Sequence, residues 1–330
     1  MKTIARAFIV LATVALVAYA FPAAAQPAAT KVPRIAYVWL ANAGPSAPYA
    51  DSFRTRMAEL GWIEGKNIQV SYVDAGGSPA KLDEIMEGLV RDKVDLIVAM
   101  CTPEAKSAKK FTTTIPIVMA ATGDPVAAGL VESLAHPGGN VTGVSMMSLP
   151  LSAKRVELLK QAFPKLTQTT VLWNPARPDN VGEVKTMQEA ATKLGLKFQS
   201  DEARSRDELA VKLDAIGWDG TQSLLNAGDP LLGSEARIIA ERASKLKIPA
   251  LFEDRFFVES GGLMSYGANL RKLHARAADY ADKILKGAKP GDLPIEQPTQ
   301  FELVINKRTA KAMGITIPNV VLLQASEVIE

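Results

Sequence analysis

Short apolar runs alternate along this chain with longer stretches in which apolar residues recur every three or four positions, the periods of buried strands and of amphipathic helices. The runs at 34–40, 68–73, 96–100, 116–121 and 142–146 read as strands, with helical patterns near 52–60 and over 79–92 between them. A second series opens at Thr170, with strands at 171–174, 197–200, 223–226 and 250–252 and helices at 181–194, 206–215 and 235–246. Continuous apolar strands separated by helices predict parallel sheets covered on both faces. The expected fold is therefore α/β, with two doubly wound parallel-sheet lobes. Beyond them, Gly261-Gly262 leads to a strand over 263–267, a helix over 270–286, a Gly/Pro-rich loop over 289–298, a strand over 301–306, a helix over 308–313 and a short tail after Ile317-Pro318. Such a coda suits segments that cross between lobes.

Several strands end in a polar residue followed by proline: Thr102-Pro103, Asp124-Pro125, Asn174-Pro175 and Asp229-Pro230. A capping residue before proline is how helices start. Ligands of open α/β sheets bind outside the carboxyl ends of the strands, beside helix N-termini. Each of these residues is either a cap alone or part of a ligand-binding rim. Asp124, Asp229 and Glu253 could accept hydrogen bonds from a solute ammonium, although a carboxylate at a helix start is also a good cap. Trp39, Trp173 and Phe252 fall at strand ends, and Tyr266 in the coda. Trp39 and Trp173 hold comparable places in the two series, so they either sandwich a planar solute or pack in the cores of their own lobes. Phe256 and Phe257, after a helical start, read as core.

Composition narrows the functional classes. Two histidines and one cysteine, none at metal-ligand spacing, leave little for zinc or nucleophile chemistry, and no cofactor is expected. His136, in a His-Pro-Gly-Gly-Asn turn, and His274, in a charge-rich helix, read as surface or turn groups, and Cys101 as a small buried filler. The string from Gly61 to Asn67 falls one residue short of a phosphate loop, and the segment from Gly143 to Met147 lacks the second glycine of a nucleophile elbow. Lys2 and Arg6 precede an apolar run over 7–21 that ends near Ala23-Ala24-Ala25, the pattern of a cleavable signal peptide over 1–25. Without Lys2 and Arg6 the formal charge falls from +3 to +1, which gives no electrostatic case for nucleic acid. With the one cysteine far from the cleavage site, a periplasmic protein without a lipid anchor is expected.

Local strings then carry a family resemblance over nearly the whole mature chain. Gly61-Trp62-Ile63-Glu64-Gly65-Lys66-Asn67-Ile68, Ile115-Pro116-Ile117-Val118-Met119, Gly123-Asp124-Pro125-Val126, Pro137-Gly138-Gly139-Asn140-Val141-Thr142-Gly143, Val171-Leu172-Trp173-Asn174-Pro175, Gly261-Gly262-Leu263-Met264-Ser265-Tyr266-Gly267 and the segment from Pro298 to Asn306 resemble the tryptophan/tyrosine-type substrate-binding proteins of ABC importers. The resemblance implies a type I periplasmic-binding fold with three crossovers, near 143–145, 263–266 and 296–301. Lobe 1 would hold residues 33–143 plus 266–295, and lobe 2 residues 144–265 plus 296–330. By position, the family's cleft falls on Asn42, Ser46, Thr102, Asp124, Ser145, Asn174, Asp229, Phe252 and Tyr266. The implied function is capture of a small polar or aromatic solute, such as an amino acid or aromatic carboxylate, by hinge closure. The implied partner is an inner-membrane permease and ATPase complex. A sensory module built on the same lobes is the main alternative, and a periplasmic enzyme a lesser one.

Overall fold

The computed structural model describes residues 31–40, 43–217 and 222–330. The expected signal peptide and Asn42 lie outside the described residues. From Pro33 the chain builds β1 (Arg34–Trp39), α1 (Ala43–Glu59), β2 (Gln69–Asp74), α2 (Pro79–Arg91), β3 (Leu96–Ala99), α3 (Thr102–Phe111), β4 (Ile117–Thr122) and β5 (Val141–Ser145). These five strands form one parallel sheet in the order β2-β1-β3-β4-β5. All residues of β3 and β4 are buried, because helices cover both faces. On β1, Ile35, Tyr37 and Trp39 face one core with Phe53 of α1, while Ala36 and Val38 face another with Leu82 and Met86 of α2.

The chain then leaves this sheet. It forms α4 (Ser148–Ala162), β6 (Gln168–Trp173), α5 (Pro178–Lys193), β7 (Lys197–Glu202), α6 (Arg206–Ala215), β8 (Leu224–Asn226), α7 (Pro230–Ser234), α8 (Ala236–Lys245), β9 (Ala250–Phe252), α9 (Arg255–Glu259) and β10 (Met264–Ala268). Next, α10 (Leu270–Leu285) returns to pack on α1, β4 and β5 of the first sheet. The chain crosses once more to β11 (Phe301–Asn306), α11 (Lys307–Met313), α12 (Asn319–Leu322) and β12 (Glu327–Ile329). The second sheet has seven strands in the order β12-β11-β10-β9-β8-β6-β7, parallel except that β11 runs antiparallel to β10.

Three passages therefore join the sheets: Met146–Met147 after β5, Asn269 after β10, and the segment between Glu296 and β11. The first and third run side by side, since Ser145 N donates to Glu296 O at 2.9 Å and Glu296 N to Gly143 O at 3.1 Å. Some local expectations need correction. Helix α1 starts well before residue 52 and holds Pro48 inside it, and α4 was not legible at all. The tail contains α12 and β12, the latter pairing with β11. His274 is fully buried rather than at the surface, because the apolar side of α10 packs on α1 and the sheet while its charges point outward.

Candidate functional site

The carboxyl ends of β3, β6, β8 and β9 and the first turn of α10 converge on a cavity of about 90 Å³ between the two sheets. Its apolar lining comes from Tyr49 of α1, Met100, Met146, Phe256 of α9 and Leu270 of α10. The rest is largely polar or charged. Glu104 and Cys101 come from the start of α3, Arg177 from the start of α5, Asp229 from the start of α7, and Glu253 and Asp254 directly follow β9. A wider groove shares Arg177 and Asp229 with the cavity and is lined further by Asn174 and by residues of the α2–α3 and α6–α7 sides.

Most of these charges are already engaged. Arg177 donates to Asp179 (2.6 Å from Nη2) and to the carbonyl of Gly228 (3.0 Å). Burial pushes the Asp179 carboxyl up, but the guanidinium of Arg177 overrides it and holds the group below the usual carboxylate range. Glu104 accepts backbone N–H groups from Leu40 (2.6 Å) and Cys101 (3.0 Å), while burial pushes its pKa up. Asp229 accepts from Leu231 N at 2.8 Å and Asp254 from Phe256 N at 2.7 Å, so both cap short helices. Asp254 Oδ1 also accepts the phenol of Tyr49 at 2.7 Å, a hydrogen bond that spans the cleft. The second oxygens of Asp229 and Asp254 are buried without a hydrogen bond, that of Asp229 lying 3.9 Å from Arg177 Nη1, and burial raises both pKa values. Behind this floor, Arg155 of α4 donates to Glu183 of α5 at 3.4 Å, to Ser152 at 2.9 Å and to the carbonyl of Tyr266 at 3.4 Å.

Of the residues singled out from the sequence, Asp229 lines the cavity and Asn174 the outer groove, where its side chain accepts from Ala176 N at 3.0 Å. Thr102 is buried at the start of α3 and accepts from Gly123 N at 3.4 Å. Asp124 caps its own turn, accepting from Val126 N and Ala127 N, both at 3.0 Å. Ser145 donates to Gly123 O at 2.9 Å, which ties down the first passage. Ser46 falls in α1, and its side chain is outside the described residues. The aromatics lie behind the cavity wall. Trp39 packs edge-on to Tyr37 in the core of the first sheet, and Trp173 donates from Nε1 to Ser200 Oγ at 2.6 Å in that of the second. Phe252 stacks on Phe257 at 4.6 Å, and Tyr266 sits in β10 beside Phe301. Cys101, expected to be a buried filler, is half-buried and lines the cavity, and burial pushes its thiol pKa up.

Sequence reasoning gave no site role to Tyr49, Arg155, Arg177, Glu183 or Asp254. Two local signals existed: adjacent acids at 253–254 straight after a strand, and a second proline, Pro178, marking Arg177 as a helix cap.

Comparison with known proteins places this geometry in a family. Residues 48–329 match the family model described as ABC transporter substrate binding protein. A tyrosine-binding protein from Clostridioides difficile (strain R20291) is 32% identical over 271 residues, covering 80% of this chain and 75% of that protein. An ABC domain from Streptococcus pneumoniae solved in complex with L-Trp is 27% identical and superposes with a TM-score of 0.82, covering 90% of this chain and 99% of that one. A ligand-free, open substrate binding protein with adhesive properties from Clostridium difficile is 29% identical over 91% of this chain and 99% of that one, yet its TM-score is only 0.66. At nearly equal identity, the two sheets here are arranged more as in the tryptophan complex than as in the open form. The two-sheet topology is that of type I periplasmic binding proteins. By the extent of the family match and the identity of its relatives, the chain belongs to the ABC transporter substrate binding proteins, a family of binding proteins and not of enzymes.

Proposed function

We propose that the cleft captures an aromatic α-amino acid, tyrosine or tryptophan, and that the loaded protein presents it to a permease and ATPase complex in the inner membrane. The protein works in the periplasm in this reading, after removal of residues 1–25. The observation that carries the reading is one cavity with two characters: the second oxygen of Asp254, buried without a partner, and the adjacent Glu253 share its lining with the apolar surfaces of Tyr49, Met100, Phe256 and Leu270. A buried acceptor without a partner costs about 1–3 kcal/mol, which a solute ammonium would relieve. The apolar lining would cover a ring. The names of the two relatives above, one tyrosine-binding and one bound to L-Trp, support the same class.

A cavity of about 90 Å³ holds a few waters, whereas benzene occupies one of about 150 Å³. An aromatic solute therefore needs the sheets to part and re-close about the three passages, as lobes moving on a hinge.

The test is a thermal-shift screen of protein refolded from denaturant to strip any carried-over solute. L-tyrosine and L-tryptophan at one hundred times their dissociation constants should add about 2.7 kcal/mol of stability. Their N-acetyl derivatives, which lack the ammonium, should add nothing. Stabilisation by the N-acetyl forms, or by neither amino acid, refutes the reading.

A further inference from the structure

Glu253 differs from the other charged groups at the cleft floor. Its carboxylate makes no hydrogen bond or ion pair among the described residues, although it lines the cavity and fills the space that a Cβ on Gly228 would need. Seven charged groups lie around it on the packed elements. Arg155 of α4 is paired with Glu183 of α5, and Arg177, before α5, with Asp179. Asp254, Asp229 and Glu104 each accept backbone N–H bonds at a helix start. Both cations are thus committed, and three further acids face the same space. The phenol of Tyr49 and the thiol of Cys101 also line the cavity, and burial pushes both pKa values up, so they remain neutral. An ionised Glu253 would be a half-buried charge with no direct counter-ion and with acids on several sides, and burial and like charge both favour its neutral form.

We propose that Glu253 is protonated in the empty cleft and loses its proton when a solute ammonium docks against it, so that solute capture near neutral pH expels one proton to the medium. The balance is simple: the carboxylic acid and the ammonium become a carboxylate–ammonium pair, and the buffer base takes up the released proton. Glu253 is then the residue that selects for a cationic amine, and capture is linked to pH. This rests on the reading that the solute is an amino acid. Burial first and the neighbouring Glu183 second, against the opposing pull of Arg155 and Arg177, push Glu253 up to about 8, in keeping with a group neutral at pH 7 and ready to ionise.

The experiment is calorimetric titration of the full mature protein with L-tyrosine in buffers of different ionisation enthalpy, from pH 6 to pH 8.5. Below pH 7.5 the apparent binding enthalpy should vary with the buffer with a slope close to one proton released, falling toward zero by pH 8.5. Over the same window the dissociation constant should drop by about tenfold per pH unit and then level off. In Glu253→Gln the buffer dependence should vanish and binding should weaken but become independent of pH. Tyrosine binding with no proton release in the wild-type protein overturns the proposal, and needs no variant to fold. Proton release that survives in Glu253→Gln also overturns it, by placing the proton on Asp254 or Asp229. Absence of binding heat in every buffer sinks the amino-acid reading as well, an outcome distinct from binding without a proton.

Discussion

Replacing Arg155 with methionine is expected to destabilise the protein by about 3–5 kcal/mol at neutral pH, measured by urea unfolding. Arg155 is 2% exposed and Glu183 is 3% exposed, so removal of the guanidinium leaves a carboxylate buried without a counter-charge. The loss also unties α4 from β10, because Arg155 donates to the carbonyl of Tyr266. The deficit should depend on pH. Burial already raises the Glu183 pKa, with Arg155 opposing the rise, so the variant's Glu183 will titrate higher still. A carboxyl whose folded pKa lies above its unfolded value favours folding below the unfolded value and loses that contribution as pH rises through the folded one. The Arg155→Met deficit should therefore be smallest near pH 4 to 5 and largest above neutrality. Adding Glu183→Leu should restore most of the loss, since well-packed apolar pairs often replace buried ion pairs at no cost. A double variant as unstable as the single one would mean that Arg155 acts through packing rather than charge.

Gly143→Ala should be the most damaging single methyl group in the chain's first half, costing about 3 kcal/mol or preventing folding. Gly143 has φ +132°, and a Cβ there would lie 2.2 Å from Met119 O and 2.6 Å from Met119 N, both backbone atoms that cannot step aside. It also accepts the Glu296 N–H that holds the third passage beside the first. Gly139→Ala is the matched control, since nothing lies within 4 Å of its Cβ position. It should change the melting temperature by no more than a degree or two. Equal losses in the two variants would show that close packing of β4 on β5 is not what demands a glycine.

The sheets were legible because the physics that makes them is local in sequence. Leu96-Ile97-Val98-Ala99 and Ile117 to Ala121 are apolar throughout, and only a strand covered on both faces calls for that. Helix α4 was not legible, since Pro150 and the polar residues Ser148, Ser152 and Arg155 break its apolar stripe, and three of these polar residues are buried by partners elsewhere. His274 failed for the same reason: its one side-chain hydrogen bond among the described residues, 2.6 Å to Tyr37, joins residues 237 apart. Strand ends pointed to the sheet edges where the cavity lies but not to the face of each side chain. Trp39 follows Ile35 and Tyr37 in two-residue steps, which aims it at the core under α1 and α10. Glu253 and Asp229 were visible as acids at strand ends, but the pairings that leave Glu253 without a cation join separate elements and needed the fold.

A crystal structure of the refolded protein with L-tyrosine tests the central claim most directly. The account predicts the amino acid between the two sheets, its ammonium within hydrogen-bond distance of Glu253 and the second oxygen of Asp254, and its ring against Tyr49 and Phe256. A ring held between Trp39 and Trp173, or an ammonium turned away from both acids, would contradict it.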